Sequence, residues 1–407
     1  MKIAFVVGYF PVLSESFIVQ QIVGLINKGH DVRIYAEGNP SQPVIQKEVF
    51  EYQLLQKTSY SIRHPKKKWL LRLKGLIYLI RCFLYSPRAA VTLIQMFKKR
   101  NYFSYSEIFL VNGFLKERFD IVHAHFGPNG LRSLILKKLN LPIKFVTTFY
   151  GYDLATYVNC HGNEIYHDLF RHGDSFIYIS EAGKEKLLKL GAPEEKMNKI
   201  PMGIDLKKMH FKERSYNPPE KIRLLSVGRL VEMKGREYAI KAIAKLKDRY
   251  PIQYDIVGDG ELREDLQRLI SDMELDDTVK LWGWVGSEQL DQLYENAHLF
   301  IHPSVTSSDG NQEGQGVVLL EAQAHGIPVI ATDHGAFPDS VINGKTGFLV
   351  PERDVESLAE RIDYLIKNPK LWPQMGHAGR AFVEHNYEIK ELNKKLIGIF
   401  KETLRGG

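Results

Sequence analysis

Cysteine is scarce in this 407-residue chain, which carries only Cys82 and Cys160. Two thiols cannot build a disulfide framework, and no CxxC or clustered Cys/His spacing suggests a zinc site. A reducing, cytoplasmic setting is the expectation. Long apolar runs are missing as well. The first eight residues are apolar apart from Lys2, but Gly8, Pro11, Ser14 and Glu15 break the run. It is too short for a signal-peptide core and reads as a first buried strand. No charge-free stretch of about 18 apolar residues occurs, so no membrane-spanning helix is expected. The first turn, Gly8-Tyr9-Phe10-Pro11-Val12, lacks GxGxxG, which argues against a nicotinamide-dependent enzyme.

Acidic residues are absent from Tyr52 to Ser106, where 12 Lys and Arg residues lie between Lys57 and Arg100. The whole chain has a formal net charge of +7, so this stretch holds more than the entire excess and the remainder is net negative. Trp69, Leu76, Ile77, Ile80 and Phe83 are interleaved with the cations. Basic amphipathic helices of this kind lie on anionic membrane surfaces. Helices packed on a core with a solvated basic face fit the pattern too, and both readings stay open. No recognition motif accompanies the charge, so no nucleic-acid partner is expected.

What is present is an alternation of short Val/Ile/Phe-rich runs with amphipathic stretches, the pattern of parallel α/β architecture. The length suits two domains. Strands are expected at 3–9, 31–36, 120–125, 144–149, 175–179 and 198–202, then at 222–228, 253–257, 279–282, 298–302 and 328–331. Helical patterns cover 236–249, 261–274 and 388–404. The polar segment 210–220, with Pro218 and Pro219, reads as a linker. The expected division is 1–209, an N-terminal Rossmann-like domain; 221–387, a second one; and 388–407, a helix returning to the first. Two facing domains would leave a cleft at the carboxyl ends of their strands, where open α/β folds bind ligands.

The strongest chemical signal is Glu313-Gly314-Gln315-Gly316-Val317-Val318-Leu319-Leu320-Glu321. Glu313 lies in a Ser/Gly/Asn-rich loop after a strand, and a helix is expected to begin near Gly316. Glycines there let a ligand approach backbone N–H groups, and a helix N-terminus favours an anion such as diphosphate. Glu321 falls about 7.5 Å further along that helix, the reach of a ribose from its diphosphate. The second signal is Gly228-Arg229-Leu230-Val231-Glu232-Met233-Lys234-Gly235, two cations bracketing a loop after a strand. Beside a departing diphosphate they would stabilise developing charge.

Together these motifs resemble the large retaining glycosyltransferase family that contains sucrose synthase, with its GT-B fold of two facing Rossmann-like domains. The loop Asp309-Gly310-Asn311-Gln312-Glu313-Gly314 is similar to that of its exopolysaccharide branch, the colanic acid and amylovoran type. The resemblance is specific mainly over 222–349. It implies that Glu313 bonds the donor sugar, Glu321 the ribose, and Arg229 and Lys234 the diphosphate. It also implies donor contacts at Gly8, Gly258, Gly260, Val285, Gly314, Gly316 and Val317, and an acceptor side at Ser14, Glu15 and Asp153. Many relatives carry a histidine where this chain has Tyr150, which cannot supply acid/base behaviour near neutral pH; His125 and Asp153 are candidates for part of that role.

The implied activity is retaining hexosyl transfer from a nucleotide diphosphate sugar, UDP by family habit, to a glycan or lipid-linked acceptor. No cofactor is expected. The chain has no DxD pair, so no metal bridging the diphosphate is expected either. The rival of another class is a catalytically silent sugar-nucleotide or membrane-surface binding protein of the same fold.

Overall fold

The computed structural model describes residues 1–41, 45–61, 68–100, 104–214 and 220–406. Among these described residues, thirteen strands form two wholly parallel sheets. The first contains β1 (Lys2–Tyr9), β2 (Asp31–Gly38), β3 (Thr58–Tyr60), β4 (Ile121–His125), β5 (Lys144–Phe149), β6 (Ser175–Tyr178) and β7 (Met197–Lys199), in the order β3-β2-β1-β4-β5-β6-β7. The second contains β8 (Ile222–Val227), β9 (Ile252–Val257), β10 (Val279–Gly283), β11 (Leu299–His302), β12 (Val329–Thr332) and β13 (Gly347–Val350), in the order β10-β9-β8-β11-β12-β13.

Parallel strands covered by helices on both faces must be apolar along their whole length, which is why they read as runs and not as alternation. Ile3 to Val6 are fully buried, as are Leu224 and Leu225. Each sheet reverses its winding at its first strand. β1 has β2 on one side and β4 on the other, and β8 has β9 and β11. Those reversals open the crevices where such sheets bind ligands.

The chain separates into two compact units. One is Met1–Ile179 with Lys184–Ile200 and Leu392–Gly407; the other is Ser180–Gly183 with Pro201–Glu391. The junction near Pro201 precedes the expected linker because Ile204 and Leu206 are buried in a cluster with Leu320, Ala324, Val383 and Tyr387, all of the second unit. Of the expected linker, residues 215–219 lie outside the described residues.

The long final helix, Ile389–Arg405, supplies Leu392, Leu396 and Phe400 as buried side chains. Phe400 meets the His123 ring edge-on at 5.4 Å, and Asn393 donates to the Gln20 carbonyl at 3.4 Å, so these contacts fall within the first unit. Strands β3 and β13 were not anticipated from the sequence. The helical pattern 236–249 forms a helix only over Arg236–Ala244, and tight turns follow it.

Candidate active site

The candidate residues fall into two groups, one on each unit. On the second unit they collect at the β8/β11 reversal. Gly228 follows β8, and Lys234 ends a short turn before the helix Arg236–Ala244. Glu313 belongs to the loop between β11 and the helix Val317–Ala324.

The Glu313 carboxylate accepts three hydrogen bonds. Lys234 Nζ donates to Oε1; His302 Nε2 (2.9 Å) and Ser304 Oγ (2.6 Å) donate to Oε2. A carboxylate offers about four lone-pair positions, so one direction on Oε1 is left for a further donor such as a sugar hydroxyl. Burial by itself would raise the Glu313 carboxyl, but Lys234 and His302 outweigh it and hold the group well below its ordinary range. Burial in turn lowers Lys234, an effect that Glu313 opposes and that Arg236 and Arg229 reinforce. Arg229 itself is exposed.

The loop backbone is fixed as well. The Glu313 N–H donates to His334 Nε2 (3.0 Å), which assigns the imidazole proton to Nδ1, facing Glu352 at 2.5 Å. Gln315 is buried and exchanges two bonds of 2.7 Å with the backbone of Met202. Gly316 takes a left-handed conformation (φ 67°) as the helix N-cap, where a Cβ would lie 2.6 Å from Phe337. Gly314 and Val317 flank it, half-buried. Five residues into the helix region, Glu321 Oε2 accepts from the Tyr294 hydroxyl at 2.9 Å. Burial raises the Glu321 carboxyl, and the Tyr294 bond pulls the other way.

Gly258 and Gly260 have a structural job. A Cβ on Gly258 (φ +126°) would sit 2.0 Å from the Gly228 carbonyl oxygen, and one on Gly260 would sit 2.4 Å from that of Leu230. These glycines knit the loops after β8 and β9 together at backbone contact, which sets the height of the Arg229–Lys234 loop. The Val285 side chain is half-buried against the core, while its neighbour Trp284 is exposed.

On the first unit, His125 ends β4 and Tyr150 follows β5. His125 Nδ1 and the Tyr150 hydroxyl are 2.7 Å apart. His125 is fully buried, and burial together with His123 keeps it well below the ordinary imidazole range, so it stays neutral. Its Nε2 finds no partner among the described residues. Burial holds the Tyr150 hydroxyl well above its usual range, with Asp153 and Glu15 adding to the effect.

Asp153 departs from the expectation of an acceptor contact. It is fully buried, and its two oxygens accept from the Tyr150 N–H (2.8 Å) and the Gly127 N–H (2.9 Å). It braces the strand-end loops against each other, a positioning role. Ser14 is exposed. Gly8 and Glu15 line a cleft of about 720 Å³ on this unit, together with Tyr9, Tyr152 and Arg132.

Burial raises Glu15 from 4.5 to about 7 and Asp153 from 3.8 to about 6, the latter despite its backbone donors. Both bind protons more tightly in the folded chain than in the unfolded one. The stability they contribute is therefore complete below the ordinary carboxyl range and lost as pH rises through the folded values. Relative to Glu15→Gln, the native chain should lose thermal stability progressively between about pH 4.5 and pH 7. Parallel melting curves for the two proteins across that window would refute the assignment.

Sequence reasoning missed His302, Ser304, His334, Glu352, Tyr294 and Arg236. His302 ends β11, and the strand-end rule that located Glu313 could have found it. Arg236 is buried, donates to the Val227 carbonyl at 2.8 Å, and opens the helix Arg236–Ala244 two residues after Lys234.

Two family models match the chain: glycosyl transferases group 1 over residues 208–382, and glycosyltransferase family 4 over residues 14–208. The colanic acid biosynthesis glycosyltransferase WcaL of Escherichia coli (strain K12) is 31% identical over 98% of this chain and 100% of its own length. The amylovoran biosynthesis glycosyltransferase AmsK of Erwinia amylovora is 33% identical over 88% of this chain and 89% of its own. Among solved structures, Anabaena Alr3699/HepE in complex with UDP-glucose superposes with a TM-score of 0.73 at 17% identity, over 100% of both chains. The architecture is GT-B.

Proposed function

The chain belongs to the group 1 glycosyltransferases, and from that premise we propose that it is a retaining hexosyltransferase of exopolysaccharide biosynthesis that works without a metal ion. Its relatives in colanic acid and amylovoran biosynthesis support the process. The observation that carries the chemistry is the Glu313 carboxylate, kept ionised and aimed by Lys234, His302 and Ser304.

In this reading Arg229 and Lys234 hold the donor diphosphate at the start of the helix Val317–Ala324. They supply the positive charge that a metal would otherwise supply. Glu313 accepts a hydroxyl of the donor sugar through its remaining lone pair, and Glu321 accepts the ribose hydroxyls. The bond from the anomeric carbon to the diphosphate oxygen breaks, and the acceptor oxygen bonds to that carbon on the same face. The acceptor proton passes to the departing phosphate oxygen. The acceptor is a glycan or lipid-linked oligosaccharide. UDP is the nucleotide proposed, by family habit, and GDP is the alternative, since GDP-mannose-dependent mannosyltransferases are among the sequence relatives.

The test is calorimetric titration with UDP, GDP and ADP in EDTA, on the native chain and on Glu321→Ala. One nucleotide should bind at micromolar strength without metal, and the variant should bind it about 10- to 100-fold more weakly. Equal binding by the variant would remove Glu321 from the site. Dependence of all binding on added Mg²⁺ would overturn metal independence. The anomeric configuration of the product, read by NMR, decides retention.

A further inference from the structure

Two helices of the first unit, Lys68–Tyr85 and Pro87–Arg100, pack on its core and also carry exposed apolar side chains. Their inner sides carry Cys82, Ala90, Leu93 and Phe97 into the core beside Phe109 and Ile108. Asn112 ties the first helix down with bonds to the Tyr78 carbonyl (3.0 Å) and to Cys82 Sγ (3.1 Å). An ordinary surface helix would turn charged residues outward. Here Leu73, Leu76, Ile77, Ile80, Phe83 and Leu84, at spacings that share one helix face, stand between 42% and 78% exposed, and Val91 and Ile94 on the second helix are exposed as well. Contiguous exposed apolar surface of this extent marks an interaction site.

Charge selects the partner. No Asp or Glu occurs from Tyr52 to Ser106, and the exposed Arg81, Arg88, Lys98 and Lys99 lie on these same two helices. We propose that this face docks on an anionic phospholipid bilayer, with the row from Leu73 to Leu84 entering the acyl boundary and the cations meeting the headgroups. A helix that lies in the interface needs an apolar face and flanking cations, and both are present. Among the described residues no helix is long and apolar enough to cross a membrane, so the contact is peripheral. The proposal stands apart from the transfer reaction, and its readouts are binding alone.

The experiment is co-sedimentation of the full chain with vesicles of phosphatidylcholine, with and without phosphatidylglycerol, at low and high salt. The native chain should sediment with the anionic vesicles only, and less so as salt rises. The triple variant Leu76→Glu, Ile80→Glu, Phe83→Glu changes exposed side chains alone and should keep its melting temperature while its vesicle affinity falls at least about a hundredfold. Charge reversal at Lys98 and Lys99 should weaken binding to anionic vesicles about tenfold or more. Failure of the native chain to bind, or undiminished binding by the triple variant, would overturn the proposal. So would a native dimer in gel filtration that the triple variant converts to monomer, since a second copy would then cover the face.

Discussion

Glu313→Gln is expected to lower kcat by about 100- to 1000-fold, because it removes the charge that the whole constellation is built to hold. Shape is nearly conserved in this variant, so the loss reports charge and hydrogen-bond polarity. The amide would still face Lys234 and His302, which are poor neighbours for its NH2 group. It would also leave Lys234 buried without its partner. Breaking a buried pair from one side costs about 3–5 kcal/mol, whereas replacing both partners with uncharged groups of similar size is often neutral. The double variant Glu313→Gln, Lys234→Met should therefore recover most of the lost thermal stability and none of the activity. Kinetics and melting curves on the four proteins of that cycle make the check. A single variant retaining activity within tenfold of native would remove Glu313 from the chemistry. A double variant as unstable as the single would show that the ion pair is not the source of the cost.

Gly258→Val should destabilise the second unit by about 3 kcal/mol or more and abolish nucleotide binding. Two effects combine. The backbone stands at φ +126°, a conformation that a β-branched residue rarely adopts, and any Cβ there would lie 2.0 Å from a carbonyl oxygen of Gly228. Neither neighbour can turn aside, because the Gly258 N–H is already bonded to the Gly283 carbonyl at 2.9 Å and the Gly228 N–H to that of Val257. Relief has to come from lifting the Gly228–Arg229 segment, which carries a cation proposed to hold the diphosphate. Gly398→Ala is the control. Nothing lies within 4 Å of a Cβ at that helical position, and the change should leave stability unaltered or raise it by about 0.5–1 kcal/mol. Calorimetric titration and melting of both variants separate a local clash from a general effect of losing a glycine.

Much of this molecule was legible because buried parallel strands announce themselves. Residues 3–9 and 222–228 cannot remain exposed, and motifs placed just after them had to lie at the carboxyl ends of the strands. What stayed hidden has physical causes. β3 is the three-residue run Thr58-Ser59-Tyr60 at a sheet edge, polar enough to pass for a loop. β13 occupies the opposite edge of the other sheet, and its short run Gly347-Phe348-Leu349-Val350 is half-buried at its centre. Missing β13 also concealed Glu352, which comes two residues after it and orients His334, the acceptor of the Glu313 N–H. An unread strand thus hid a residue of the site.

Asp153 shows the opposite case: a carboxylate after a strand suggests ligand contact, but in the fold backbone N–H groups donate to both of its oxygens. The helices of the basic stretch could be anticipated, but their orientation could not. With apolar residues on more than one face of the first helix, periodicity does not say which of them is covered.

The return of residues Leu392–Gly407 to the first unit sets an order of assembly during synthesis. Seven strands and their helices leave the ribosome early, yet the positions later filled by Leu392, Leu396 and Phe400 stay open until the entire second unit has been translated. For that interval the nascent first unit presents an apolar trough beside His123, a surface suited to holding by a chaperone. The second unit needs no such wait, since its sheet is complete at Val350 and its core is drawn from consecutive sequence. The half that begins folding first is therefore the half that finishes last.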